Sequence, residues 1–120
     1  MDMLKPLRVV ALGAALAGIG LSALAQTTKR IEYRETVTVN VGQSVVVHGY
    51  RGECGKLPAK GDISFPALKT GKLSIGAAGI RLSNRCGGDT PALQVIFTAT
   101  TAGREKFEVQ GDPISVRVRK

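Results

Sequence analysis

Hydrophobic and polar residues alternate in short runs through most of the chain after residue 30. Each run places its apolar side chains, mainly valine and isoleucine, at every second position. A period of two over four to eight residues predicts a half-buried β-strand, because successive side chains point to opposite faces. The alternating runs cover residues 36–41, 45–50, 80–83, 95–99, 106–109 and 114–119. No segment after residue 30 has the apolar spacing of an amphipathic helix.

Short segments that contain glycine or proline separate these runs and predict the turns between strands. Residues 76–79, Gly-Ala-Ala-Gly, predict a hairpin turn between short strands at 73–75 and 80–83. A further short strand is expected at 62–65. About seven short strands separated by turn residues predict an all-β fold, namely a single antiparallel β-sandwich.

The strand pattern resembles that of bacterial immunoglobulin-like domains. The resemblance rests on Val-Thr-Val-Asn-Val-Gly-Gln-Ser-Val at 37–45 and on Val-Ile-Phe-Thr-Ala-Thr-Thr-Ala-Gly at 95–103, and it spans most of residues 31–119. It implies a single immunoglobulin-like antiparallel β-sandwich of about seven strands. In the antibody pattern a disulfide joins the two sheets beside a tryptophan, but this chain has no tryptophan. A disulfide in this chain is therefore expected to connect loops.

Residues 1–25 have the pattern of a secretory signal peptide. Two basic residues precede an uncharged run at 9–21, and Ala23 and Ala25 provide the small residues that precede a cleavage site. The predicted domains are therefore a signal peptide over 1–25 and the β-sandwich over 26–120. An uncleaved membrane anchor is the alternative, because the uncharged stretch extends to residue 28. Cleavage predicts a periplasmic or secreted protein with no stable membrane span.

Cys54 and Cys86 are the only cysteines, and both lie in the part that is predicted to be exported. In an oxidising compartment they are expected to form a disulfide. A bridge that closes a loop of this length stabilises the folded state by roughly 3–4 kcal/mol in the chain-entropy model. A metal site or a redox pair is the alternative, but the single histidine, His48, does not complete a tetrahedral set, and no Cys-x-x-Cys motif occurs. No metal and no cofactor is predicted.

The chain is strongly basic, with a formal net charge of +8 at pH 7. A positive surface attracts anionic partners, which for an exported protein are envelope polymers, anionic lipid headgroups or acidic proteins. Nucleic acid is not an expected partner, because the few aromatic residues form no basic-aromatic platform for base stacking. The alternative interpretation is that lysine and arginine solvate the outer faces of strands and protect sheet edges.

The sequences around the two cysteines are similar, since a glycine follows each of them. In a sandwich the two cysteine loops and the turn at 111–113 can fall at the same end, and loops on a rigid scaffold commonly bind ligands. The alternative is that the disulfide only restrains a long loop of a small domain. The predicted binding surface comprises Arg51, Glu53, Lys56, Arg85, Gly87, Gly88, Asp89 and Asp112.

The arrangement of three loops also resembles the chagasin-type cysteine-protease inhibitors, which are exported immunoglobulin-like domains. They present Asn-Pro-Thr-Thr-Gly, Gly-x-Gly-Gly and Arg-Pro-Trp/Phe loops, of which only Gly87 and Gly88 have counterparts in this chain. No catalytic residue is predicted. His48 lies in an alternating run, and the sequence contains no nucleophile elbow with which it could act. His48 is therefore expected to pack rather than to catalyse.

These observations predict an exported, non-enzymatic binding module that recognises a protein or a cell-envelope component through disulfide-linked loops. The first alternative is a basic adhesion domain for anionic envelope polymers, with Arg81, Arg85, Arg117, Arg119 and Lys120 as the contact residues. A second alternative is pairing of the terminal strand with another sheet, which its charged arginines disfavour. A chagasin-like inhibitor of cysteine proteases is a further alternative.

Overall fold

The computed structural model describes residues 29–120. The signal peptide predicted over 1–25 therefore lies outside the described residues. Within the described part of the chain, no helix is both long enough and apolar enough to cross a membrane.

Two three-stranded sheets make up the described chain. The strands are β1 (Thr36–Asn40), β2 (Ser44–Arg51), β3 (Gly71–Ser83), β4 (Gly88–Ala99), β5 (Gly103–Val109) and β6 (Asp112–Arg119). The sheets have the strand orders β1-β6-β5 and β2-β4-β3. All neighbouring strands are antiparallel except β1 and β6, which are parallel. The predicted all-β sandwich is confirmed, and an isolated bridge between Arg30 and Ile80 accompanies the six strands.

Alternating apolar side chains fill the space between the two sheets. Along β6, Ile114, Val116 and Val118 are buried, whereas the residues between them are partly or fully exposed. Phe97 of β4 and Phe107 of β5 stack with their ring centroids 6.2 Å apart, which joins one sheet to the other. Burial of a large apolar side chain stabilises the fold by about 1.5–3 kcal/mol, so these contacts define the core.

Strand β3 continues through residues 76–79, where the sequence predicts a hairpin turn. That prediction is wrong, because β3 pairs with β4 on both sides of a bulge between Ile75 and Ala78. Gly76 lies within this bulge, and its φ angle is not positive. A Cβ atom at Gly76 would lie 2.6 Å from Cδ1 of Ile96 on the neighbouring strand.

Residues 52–70, which connect β2 to β3, contain no strand. The short strand predicted at 62–65 is therefore wrong, and the only regular element is a 3-10 helix at Lys60–Asp62. Pro58 and Pro66 lie on either side of residues 62–65, and each lacks the N–H group that a strand residue donates to a neighbouring strand. The segment nevertheless packs Phe65 and Leu68 against the core, so it is part of the folded domain.

The first described residues contact two strands of the β2-β4-β3 sheet, through an isolated bridge of Arg30 to Ile80 of β3 and a hydrogen bond from the N–H of Arg34 to the carbonyl oxygen of Val47 of β2. Ile31 is only 5% exposed, and its side chain lies over Gly49 of β2 and Gly79 of β3. A Cβ atom at Gly79 would lie 2.4 Å from the carbonyl oxygen of Lys29. The glycines therefore let this segment contact the sheet closely, and the backbone N–H of Ile31 donates to the carbonyl oxygen of Ile80.

Replacement of Ile31 with alanine should lower the free energy of unfolding by about 2–4 kcal/mol, because it leaves a cavity over the two glycines. Urea denaturation measures the change. Val41→Ala is the matched control, since Val41 is 43% exposed and its truncation should change stability by less than about 0.5 kcal/mol. Equal losses in the two variants would contradict a buried role for Ile31.

Candidate functional site

The predicted disulfide is present between Cys54 and Cys86, whose Cα atoms lie 5.5 Å apart. Cys54 lies in the segment after β2 and Cys86 lies in the turn between β3 and β4, so the bridge connects loops. Gly55 and Gly87 follow the two cysteines with φ angles of 84° and 73°, a region that glycine adopts without strain. The bridge holds the start of segment 52–70 against the β3–β4 turn.

The turn between β5 and β6 contacts the same region through Gln110. The N–H of Arg51 donates to Oε1 of Gln110 at 2.9 Å, and Nε2 of Gln110 donates to the carbonyl oxygen of Arg51 at 2.8 Å. Gln110 and Gly111 have φ angles of 49° and 85°. Positive φ angles at both central residues are typical of two-residue hairpin turns whose twist matches that of the flanking strands. Gln110 was not among the residues predicted from the sequence, in which its only signal is its position before a glycine between two strands.

The three segments enclose a groove of about 840 Å³, which we name the loop groove. Its apolar lining residues are Tyr50, Leu57, Pro58, Ala59 and Ile63. Its charged lining residues are Arg51, Glu53, Lys56, Asp62 and Arg85, and Gln110 contributes its amide. Leu57 is 48% exposed, so apolar surface faces solvent between charged groups. A groove of this composition is able to hold an apolar side chain with polar groups beside it.

The structure brings half of the predicted binding residues together in the loop groove. The residues that line it are Arg51, Glu53, Lys56 and Arg85. The residues that lie outside its lining are Gly87, Gly88, Asp89 and Asp112. The two glycines belong to the β3–β4 turn and the start of β4, while each aspartate pairs with a basic side chain.

Asp89 forms an exposed ion pair with Arg30. The guanidinium group donates hydrogen bonds of 3.0 and 2.8 Å to the two carboxylate oxygens. These hydrogen bonds hold the pKa of Asp89 below its usual value. Exposed pairs of this kind contribute little to stability. Asp89 was predicted to bind a partner, but its carboxylate accepts hydrogen bonds from Arg30 of the same chain.

His48 and Asp112 connect the two sheets. His48 of β2 is fully buried, and its Nε2 atom lies 2.8 Å from Oδ2 of Asp112 on β6. Its Nδ1 atom lies 2.9 Å from the carbonyl oxygen of Gly49, and the ring centroid of Tyr33 is 5.2 Å away. Both ring nitrogens are thus in contact with protein atoms, and this geometry favours a role in packing β2 against β6.

Glu105 of β5 holds the far end of segment 52–70. Its carboxylate accepts hydrogen bonds from the backbone N–H groups of Lys69 and Thr70 and from the hydroxyl group of Thr70. Burial acts to raise the pKa of Glu105, but these hydrogen bonds outweigh it and lower the pKa. The segment that forms the loop groove is therefore restrained at both ends.

Comparison of the chain with protein-family models, with characterised proteins and with solved structures gives no match. Function must therefore be inferred from the chemistry of the loop groove and of the strands that hold it. The features that bear on function are the convergence of three chain segments, the disulfide between two of them and the mixed lining.

The pH dependence of stability tests the role of Glu105. Because its pKa is lowered in the folded state, the carboxylate stabilises the fold above the ordinary glutamate pKa of about 4.3. That stabilisation is lost as pH falls through the lowered pKa of the folded state. Urea denaturation should therefore show that Glu105→Gln is less stable than the wild type at about pH 7, with a smaller difference at about pH 2.5.

Glu108→Gln is the control for this measurement, since Glu108 is an exposed residue of the same strand. Its stability should follow that of the wild type at both pH values. A difference between Glu105→Gln and the wild type that does not change with pH would contradict the role of the carboxylate.

Proposed function

We propose that this protein is an exported, non-enzymatic binding module that recognises an exposed segment of a cell-envelope protein through the loop groove. The observation that carries the proposal is convergence, because most residues between 50 and 63 line one groove together with Arg85 and Gln110, which are distant from them in sequence. The disulfide and Gln110 hold the groove in its shape before a partner binds. Preorganisation of this kind reduces the entropy that is lost on binding.

The strand order supports an immunoglobulin-like type of sandwich. Strand β1 lies parallel to β6 in one sheet, and β2 and β3 flank β4 in the other. In immunoglobulin variable domains, loops that gather at one end of the sandwich form the binding surface. The segment after β2, the β3–β4 turn and the β5–β6 turn gather in a comparable way, which favours this end as the binding surface.

The lining of the loop groove favours a partner segment with an apolar side chain beside an acidic one. Leu57 and Ile63 provide apolar surface, and three basic side chains outnumber two acidic ones. Binding energy in protein interfaces concentrates in a few anchors that fill pockets, while charged groups around them set orientation. The net charge of +8 also raises the rate of association with an acidic partner.

A chagasin-like inhibitor of cysteine proteases is the second candidate, because such inhibitors also present three loops. Their third loop carries an aromatic residue, whereas the β5–β6 turn of this chain carries Gln110 and Gly111. Gly87 and Gly88, which match the second loop, lie outside the lining of the groove. Full papain activity in the presence of excess oxidised protein would exclude this candidate, and inhibition that requires the disulfide would favour it over the first.

Affinity capture from a cell-envelope extract tests the first proposal. The oxidised wild-type protein is compared with Lys56→Gln/Arg85→Gln, which alters the groove, and with Lys29→Gln/Lys72→Gln, which removes the same charge elsewhere. We expect one protein to bind the wild type and the control, and to bind the groove variant about tenfold less. Capture should persist at high salt, because a packed apolar contact is not screened.

Equal capture by the two double variants would contradict the proposal. Loss of capture at high salt for every form of the protein would also contradict it, since that result indicates attraction by net charge alone.

A further inference from the structure

The outer face of the β1-β6-β5 sheet is strongly basic. Residues that alternate with the buried positions of β5 and β6 point to solvent. We name this surface the basic face, and its charged residues are Arg104, Lys106 and Glu108 on β5 and Arg117 and Arg119 on β6. It carries four cations and one carboxylate, so its net charge is strongly positive.

The sheet register places two of these cations directly opposite each other. Arg104 of β5 pairs with Arg117 of β6, and like charges at opposed positions destabilise a sheet. The Arg30–Asp89 ion pair and the His48–Asp112 contact lie elsewhere, and no other described carboxylate lies within 4.0 Å of a basic side chain. Neither arginine therefore has an ion-pair partner among residues 29–120.

Strand β1 adds hydrogen-bonding side chains beside the cations. Thr38 lies opposite Arg117, and Asn40 lies opposite Arg119. Successive outward residues on a strand are about 6.8 Å apart, since a strand rises about 3.4 Å per residue. A groove of about 480 Å³ runs over these rows and is lined by residues of all three strands. The surface is thus a strip of cations with a parallel column of hydroxyl and amide groups.

We propose that the basic face binds an anionic polysaccharide. Its carboxylate or sulfate groups contact Arg104, Lys106 and Arg117, and its hydroxyl groups contact Thr38 and Asn40. Nucleic acid is disfavoured, because none of the outward residues of these strands is aromatic and no base can stack on them. A lipid bilayer is disfavoured because the face has no large apolar side chain to insert.

The basic face differs from the adhesion surface that the sequence predicts. Arg117 and Arg119 belong to it, but Arg81 lies on β3 in the other sheet and Arg85 lines the loop groove. The two β5 cations, which the sequence analysis did not select, complete the strip. The basic face and the loop groove share no residue. A variant of one surface can therefore lose polysaccharide binding or protein binding while the other interaction is kept.

Binding measured by calorimetry to polygalacturonate, to dextran sulfate and to neutral dextran tests the proposal. Lys106→Gln/Arg117→Gln alters the basic face, and Lys29→Gln/Lys72→Gln removes the same charge from other surfaces. We expect the first variant to bind the acidic polysaccharides about tenfold more weakly than the wild type, and the control at most about twofold more weakly. The two acidic probes distinguish a carboxylate ligand from a sulfate ligand.

The single variant Arg104→Thr separates binding from folding. Threonine favours the strand conformation, and its introduction removes the opposed arginine pair. We expect its thermal midpoint to be higher than that of the wild type while its affinity for the preferred acidic polysaccharide falls about threefold.

Three results would overturn the proposal. The first is an equal loss of affinity in the basic-face variant and the control, which indicates attraction by net charge alone. The second is wild-type affinity in Arg104→Thr. The third is tighter binding to single-stranded DNA or to phosphatidylglycerol vesicles than to either acidic polysaccharide.

Discussion

The Cys54–Cys86 disulfide holds the end of the molecule where three chain segments meet. Residues 52–70 connect two strands of one sheet without adding a strand, so the segment has few backbone partners of its own. The disulfide fixes its start against the β3–β4 turn. Gln110 holds the residue before it, and Glu105 holds its far end. The segment is thus restrained at its start and at its end, which favours a preformed binding groove.

The strands behind this segment have stabilising contacts that do not involve it. Phe97 and Phe107 stack between the sheets, and the contact of His48 with Asp112 joins β2 to β6. These contacts join the two sheets independently of the disulfide, whereas the disulfide restrains the segment that forms the loop groove. The basic face belongs to the β1-β6-β5 sheet, while both cysteines flank strands of the other sheet, so each surface has its own structural support.

The sequence predicts features that depend on neighbouring residues better than features that depend on contacts between distant strands. Alternation is local, and it located part of every strand but neither the continuity of β3 nor the first half of β4. The disulfide could be predicted because only two cysteines were available. The error at residues 76–79 arose because the pairing that continues β3 through a bulge involves residues of another strand, β4. Gln110 and the opposition of Arg104 to Arg117 were missed for the same reason, since the register between strands exists only in the folded sheet.

The disulfide is expected to order the loop groove, while the sandwich folds without it. Hydrogen exchange measured by mass spectrometry tests this expectation most directly. The measurement compares the oxidised protein with the Cys54→Ser/Cys86→Ser variant. Exchange reports local opening of each segment separately. We expect peptides from residues 52–70 to lose protection in the variant, while peptides from β4 and β6 keep theirs. Loss of protection throughout the sandwich, or unchanged protection in residues 52–70, would contradict this role of the disulfide.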